Sequence, residues 1–361
     1  MTRTLTFRAT DRLLVFAPHP DDETLATGEL IQLALAAGAH VRVVFATDGD
    51  NNPWPQRWSE RRLRIGAAER VRWGRRRRGE ALAALARLGL GAESAHFLGW
   101  PDLGLTARLE RDDAGIETLR AEIDAFAPTH IAMPSLRDRH PDHGALRVML
   151  ELALRRIRRS CVRLGYVVHG RSSDPGEWLP APDAARHARK SEALLSHASQ
   201  IILSRRRLLR WASQRESFDH GETNPSVAAA ASGGILLSIP LIPRHRFWRR
   251  HEVLLVLADG ERVERARVRL PRMIGAAGRK LLGTALCDGR ATIALEDGAL
   301  QISVAAGADG HASGYVKLER SAPRVFIFDV ETWRRFEDFA AWHGSAAPRV
   351  EPVAVAQRAS L

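Results

Sequence analysis

"LLVFAPHPDDETLATGELIQLALAAGAHVRVVFAT", residues 13 to 47, decides the fold. An apolar run from Leu13 to Ala17 ends in a polar turn. A stretch follows whose apolar residues recur every three to four positions, and then a second apolar run from Val41 to Thr47. That is strand, helix, strand. The pattern continues outward: "AHFLG" (95 to 99), "HIAMP" (130 to 134) and "VRLGYVVH" (162 to 169) have the composition of strands buried on both faces. Between them "GEALAALARLGL", "DAGIETLRAEIDAFA" and "HGALRVMLELALRRIRR" carry helical spacing. Strict alternation predicts right-handed crossovers and a Rossmann-like parallel sheet with helices on both faces. Such a sheet carries its ligands outside the carboxyl ends of its strands.

Two clusters fall at that edge. "PHPDDE" follows the first strand and "RDRHPDH" follows the fourth. A histidine and three carboxylates within a few residues repel one another unless something positive lies among them. His19 and Asp22 are three apart with Asp21 between them, and His140 and His143 are again three apart. Two histidines and one carboxylate around Zn²⁺ leave a fourth position open, which is the pattern of catalytic and not structural zinc. Asp21 is then the uncoordinated carboxylate placed to take a proton from water. The remaining histidine of the second cluster is placed to donate to an oxyanion. Asp138 and Asp142 are candidates to orient the imidazoles from behind. A lone "HPDH" reads as well as a proline turn with an Asx hydrogen bond. Two His-Pro-Asp turns at equivalent strand ends favour the metal.

Composition bounds the rest. At 361 residues and 40.0 kDa, two domains are expected. The N-terminal apolar run is too short for a signal peptide. "GILLSIPLIP" is the nearest approach to a spanning segment, and prolines cut it. The expectation is a cytoplasmic protein without a transmembrane segment, with a peripheral place on a membrane surface left open. Cys161 and Cys287 lie near no histidine pair, which argues against a cysteine zinc site or a disulfide framework. The net charge of +12 is concentrated in residues 60 to 80 and 154 to 163. It suits nucleic acid, anionic lipid or a phosphorylated substrate, or simply an arginine-rich proteome. No nucleic-acid motif accompanies it, and no nucleic-acid partner is expected.

After about residue 222 the pattern changes to short apolar-polar alternation around Asp-Gly pairs, which predicts hairpins. Residues 1–222 are expected to form the first domain and 233–335 a smaller antiparallel β domain, a sandwich, with "NPSVAAAASGG" as linker and 336–361 as a mobile tail.

"APHPDDETLATGELI", "VRVVFATDGD", "RRGEALAALARLG", "GWPDLGL" and "DRHPDHGAL", in that order, resemble the LmbE-like deacetylases, the PIG-L family. The resemblance covers about residues 10 to 220. It implies a zinc-dependent enzyme that removes the acetyl group from N-acetylglucosamine units on inositol, lipid or small-molecule carriers. It further implies one zinc per chain on His19, Asp22 and His143, for which Fe²⁺ would accept the same ligands. Asp21 is implied as general base and His140 as the group that steadies the oxyanion. Arg78 and Asp102 fall on the family's positions for substrate contact, with Arg78 nearest the sugar and Arg75 to Arg77 further out. "ARKSEALLSHASQ" and "QRESF" look like the family's closing segment. Glu29 stands where the family usually has a second glycine.

The substrate expected is therefore a sugar conjugate, and the arginines would suit an anionic or lipid-linked one. Residues 51 to 77 admit two readings: a solvated helix with tryptophans packed beneath it, or a lid with Trp54, Trp58 and Trp73 stacking on a sugar. The rival functions are hydrolysis of another amide conjugate, such as a glycopeptide or a thiol-sugar conjugate, and a non-catalytic carbohydrate-binding protein. Trp248 and Trp333 in the β domain are candidates for holding carbohydrate or for core.

Overall fold

Every residue from Leu13 to Ala17 is fully buried, as a strand covered on both faces requires. The computed structural model describes residues 3–157, 160–170, 178–181 and 183–219, then 227–229, 235–240, 251–259, 261–270, 280–286, 291–296, 299–304, 312–320, 328–329 and 331–337. Its first part contains β1 (Arg3–Thr4), β2 (Arg12–Ala17), α1 (Asp22–Ala36), β3 (His40–Thr47), α2 (Pro53–Glu60), α3 (Ala67–Leu88), β4 (Ala95–Trp100), α4 (Leu105–Arg111), α5 (Ala114–Phe126), β5 (His130–Pro134), α6 (Pro141–Arg155), β6 (Val162–Tyr166), β7 (Trp178–Leu179), α7 (Ala184–Leu195) and α8 (Ala198–Ala212).

Five of these strands form one parallel sheet in the order β4-β3-β2-β5-β6. Alternate residues of β2 serve opposite layers. Leu13, Val15 and Ala17 join a core with Leu30 and Ile31 of α1, Leu85 of α3 and Leu194 of α7. Leu14 and Phe16 join another with Leu109 of α4, Leu119 of α5 and Met149 of α6. The chain runs outward from β2 through β3 to β4, then returns to the other side of β2 for β5 and β6. The reversal puts the topological switch point between β2 and β5. Those are the two strands that end in the His-Pro-Asp turns.

The closing segment folds as α7 and α8 over α1. Lys190, fully buried, makes an ion pair at 2.8 Å with Glu216, without hydrogen-bond alignment. Glu216 also accepts the backbone N–H groups of Glu29 and Leu30. Gly28 lets this happen: a Cβ there would stand 3.0 Å from Cγ of Lys190. Glu29 is accommodated by His187 of α7, at 2.9 Å.

The second part contains β8 (Val227–Ala229), β9 (Ile235–Pro240), β10 (His251–Asp259), β11 (Arg262–Arg269), β12 (Lys280–Ala285), β13 (Ala291–Glu296), β14 (Ala299–Val304), β15 (Ala312–Arg320) and β16 (Arg334–Glu337). Two antiparallel sheets, β11-β10-β15-β16 and β12-β13-β14-β9-β8, enclose Val253, Leu255, Leu257, Ile293, Leu300, Ile302 and Val316. Several boundaries shift from the sequence reading. Residues 227 to 229, expected in the linker, form an edge strand, and residues 336 and 337, expected in the tail, end β16. The rest of the tail, Cys287 and Trp248 lie outside the described residues.

"HEVLLVLAD" shows where alternation misleads. Its odd apolar residues face the sandwich core, while Leu254, Val256 and Ala258 face α4, α5 and α6. Both sides of β10 are buried, so its apolar run is continuous. Trp333 joins the same interface, 2% exposed, over Gly144, where a Cβ would meet the indole at 2.6 Å. It is core and not a carbohydrate platform. Trp333→Ala should destabilise the protein by about 3–5 kcal/mol, read as a lowered denaturant midpoint; an unchanged midpoint would show that the sandwich and α6 are not joined here.

Candidate metal centre

Four of the five parallel strands deliver these residues to one edge. After β2 come His19, Asp21 and Asp22; after β4, Asp102; after β5, Asp138, His140 and His143; after β6, His169. Buried polar side chains at this density demand partners. The partners are largely each other.

Two histidines point at one carboxylate oxygen. Nδ1 of His19 and Nε2 of His143 each lie 3.1 Å from Oδ2 of Asp22. Behind them, Nε2 of His19 faces Asp102 at 3.2 Å and Asp142 at 3.3 Å. Nδ1 of His143 faces Asp138 at 3.0 Å. Each imidazole thus has one nitrogen on an outer carboxylate and the other aimed at a shared point, the arrangement of metal-ligating histidines. Both nitrogens of His143 are buried, and neither meets its carboxylate with hydrogen-bond alignment.

The outer carboxylates also tie the loops together. Asp138 accepts the N–H groups of His140, Val168 and His169. Asp142 accepts those of Leu103 and Leu105, and Asp102 that of Asn51. Asp138→Asn should therefore weaken metal affinity about 10- to 100-fold, measured by competition with a chelator; unchanged affinity would detach Asp138 from the site.

The electrostatics answer the question posed by "HPDDE". Five carboxylates (Asp21, Asp22, Asp102, Asp138 and Asp142) meet at this edge, facing Arg77 and the histidines. Burial pulls the His143 imidazole down, but Asp138 and Asp22 outweigh it and push its pKa up to about 9. For His19 too, burial is outweighed, by Asp102, Asp142 and Asp22, and the pKa rises well above its ordinary value. Burial would raise Asp22, yet His143 and His19 hold it well below the usual range. Without a metal, protonated histidines supply the positive charge the carboxylates need. A divalent cation would supply it with the imidazoles neutral, so the donor set fits such an ion.

Among the described residues, three groups of ligand atoms lie within 4.8 Å of one another: His19 with His140 and His143, Asp22 with His143 and His169, and His19 with Asp102 and Asp142. The expected set of His19, Asp22 and His143 draws on the first two and is joined through Oδ2 of Asp22. His140 differs from the others, because its Nδ1 accepts the N–H of Asp142 at 3.3 Å. In the neutral ring the proton then sits on Nε2, which makes that nitrogen a donor.

Asp21 takes an unusual backbone conformation, φ 124°, which L-residues rarely adopt. Glu23 accepts its N–H at 2.9 Å, while Arg77 lies 3.3 Å from its Oδ1 and donates to the carbonyls of Gly49 and Pro20. Gly49, at φ 60°, leaves room for that guanidinium; a Cβ would stand 1.7 Å from it. Glu23 in turn holds Thr24 and His197, which is fully buried just before α8. Burial, offset in part by Arg77, pushes the Asp21 carboxyl up to about 6.

Arg77 lines the cavity beside Asp21, whereas Arg78, expected nearest the sugar, is not in its wall. Trp73, Arg77, Ala81 and Ala84 share the buried face of α3, and Arg78 lies about 100° further round the helix. It pairs instead with Asp48 at 2.7 Å, over the ring of Phe97. Trp73 is buried, whereas Trp54 and Trp58 are exposed. Residues 51 to 77 therefore match neither reading whole.

A cavity of about 160 Å³ opens onto Asp21, Asp22, His19, His140 and Arg77. Its outer wall comes from α2 and α8, with Trp211 and, from the β-rich part, Phe328. The ring of Phe328 lies 5.1 Å from His169 and 6.3 Å from His140. Asp329 is tied to the carbonyl of Arg139 through its N–H and to the buried Lys317 through its carboxylate. His169, His197, Trp211 and Phe328 were not expected here from sequence. Only His169 carried a usable signal, a histidine just beyond the fifth strand.

Residues 14–154 match the family described as GlcNAc-PI de-N-acetylase, PIG-L. A 1D-myo-inositol 2-acetamido-2-deoxy-alpha-D-glucopyranoside deacetylase from Mycolicibacterium vanbaalenii is 35% identical over 37% of this chain and 51% of its own. The chain thus spans about half the length of that relative. The protein of the same description from Gordonia bronchialis is 30% identical over 53% of this chain and 84% of its own. Among solved structures, a deacetylase triple mutant of the teicoplanin biosynthetic pathway aligns with a TM-score of 0.45 and 21% identity, over 57% of this chain and 96% of its own. The chain belongs to the PIG-L family.

Proposed function

We propose that this chain is a metal-dependent hydrolase that removes the N-acetyl group from an N-acetylglucosamine-type sugar conjugate. The observation that carries the reading is that imidazole nitrogens of His19 and His143 both lie 3.1 Å from one oxygen of Asp22, with Asp21 in the wall of the adjoining cavity. The nitrogen and oxygen donors suit zinc, and Fe²⁺ accepts the same set. A divalent ion bound there supplies Lewis acidity and makes water acidic near neutral pH. Asp21 takes the proton from water, with Arg77 steadying its Oδ1. Its upward-shifted pKa keeps it an effective base near neutrality. His140, with its proton on Nε2, donates to the oxyanion that forms as the acetamide is attacked. Asp102, expected to touch substrate, lines the cavity while bracing His19, and both duties are compatible.

The sugar is taken from the relatives, whose described substrate is an N-acetylglucosamine linked to inositol. Acetate release should be measured from a panel of N-acetylglucosamine conjugates, with the glucosaminyl-inositol among them, before and after metal chelation. Metal-dependent release from at least one conjugate is expected. Release only from other N-acyl amides would move the chain to another amide substrate, and no release from any would leave the carbohydrate-binding reading.

A further inference from the structure

Trp54 and Trp58 lie one turn apart on α2, so they share a face, and each is 66% exposed. Leu63, in the turn that follows, is 90% exposed and Val71 on α3 is 52% exposed. On α8, which packs against α2, Ile202 and Leu203 are exposed as well. Gln56 and Arg72 tie α2 to α3 through Glu69 and Glu60, so the three helices are in mutual contact. Large apolar groups gathered in water mark a contact surface.

The same helices carry charge of one sign. Between residues 53 and 78 there are ten arginines and two glutamates, and α8 has four arginines and no acid. Both glutamates are already engaged, by Arg72 and Arg62. Among the described residues, the exposed Arg61, Arg64, Arg70 and Arg75, and Arg205 and Arg206 on α8, have no carboxylate at ion-pair distance. Arg57 lies over the Trp54 ring at 5.1 Å. A tryptophan with an arginine beside it is suited to the boundary between lipid and water, where the ring enters the headgroup layer and the guanidinium meets phosphate.

We propose that the exposed face of α2, the start of α3 and α8 is a docking surface for an anionic phospholipid bilayer. Charge decides the occupant. A second copy of this chain packed symmetrically would bring arginine against arginine, and a neutral bilayer, its phosphates balanced by choline, would offer the cations no net attraction. The surface also adjoins the cavity, whose wall includes Asn51, Asn52 and Pro55 beside α2, and Gln200, Ser204 and Arg207 from α8. Docking would hold the cavity mouth at the bilayer, within reach of a lipid-linked conjugate. The docking does not depend on the deacetylase reading.

The test is co-sedimentation of the full chain with vesicles of phosphatidylcholine alone and of phosphatidylcholine mixed with phosphatidylglycerol. Binding to the mixed vesicles alone is expected, and it should weaken as salt rises. Arg61→Glu/Arg64→Glu should weaken it by about 25-fold or more, from roughly fivefold for each cation lost at the surface. Trp54→Ser/Trp58→Ser should weaken it by about tenfold. Both variants should melt at the wild-type temperature, since the residues replaced are exposed. Equal recovery with the two vesicle types, no recovery with either, or either variant binding like wild type would overturn the proposal. Lipid-free self-association that the tryptophan variant abolishes would overturn it in favour of a second copy.

Discussion

Replacing Asp21 with Asn is expected to lower kcat by about 10²- to 10⁴-fold, with metal content near the wild-type level. The substitution changes almost no volume, and the side-chain oxygen can still accept from Arg77. What it removes is the capacity to take a proton. Metal content by elemental analysis and kcat on the best substrate of the acetate screen would be measured on one preparation. A circular dichroism melt should accompany them, because Arg77, 4% exposed, loses its counter-charge and the fold will lose some stability. Wild-type turnover in this variant would take the base away from Asp21. Glu23 is the neighbour in sequence, but it is fully buried and occupied by the Asp21 N–H, Thr24 and His197. It holds Asp21 in its strained conformation and does not line the cavity. Asp22 and Asp102, which do line it, would be the next candidates.

How much of this was legible in the sequence follows from what each residue's signal depends on. Strands β2, β3 and β5 are short and buried on both faces, so their apolar runs are continuous and local sequence reveals them. Once those strands are placed, the parallel order puts both His-Pro-Asp turns at one edge, and no side-chain detail is needed. Arg77 and Arg78 required more. Four consecutive arginines look alike in composition, and only the phase of α3, set by Trp73 and Ala81, separates the inward one. His197 and Glu23 meet across 174 residues through the packing of α8 on α1. Phe328 reaches the cavity only because β10 buries its second face on α4, α5 and α6. Alternation gives no sign of that second buried face, since it is informative only when one side of a sheet is wet. Local pattern thus reached the candidate ligands and the candidate base, and missed residues brought in by contacts between distant elements.

The remaining prediction puts the ligand set at risk. His143→Ala is expected to take metal from about one ion per chain to a trace, and hydrolysis with it, because three protein donors are the minimum that holds a catalytic zinc with an open position. His143 is the informative choice, since it is fully buried at the start of α6 and its two nitrogens face Asp22 and Asp138. His140→Ala is the matched control, which removes an imidazole from the same turn. If Nε2 of His140 is a donor to the oxyanion, that variant should keep its metal while kcat falls by about 10²-fold or more. Elemental analysis after dialysis against a weak chelator would distinguish the two. Full occupancy in His143→Ala would show that a neighbour takes its place, and the structure offers two. His140 belongs to one compact group with His19 and His143, and His169 to another with Asp22 and His143. The double variants His143→Ala/His140→Ala and His143→Ala/His169→Ala would then identify the substitute, because only one of them should lose the ion. Metal lost from His140→Ala but kept in His143→Ala would exchange the two roles, making His140 the ligand and leaving the oxyanion to His143.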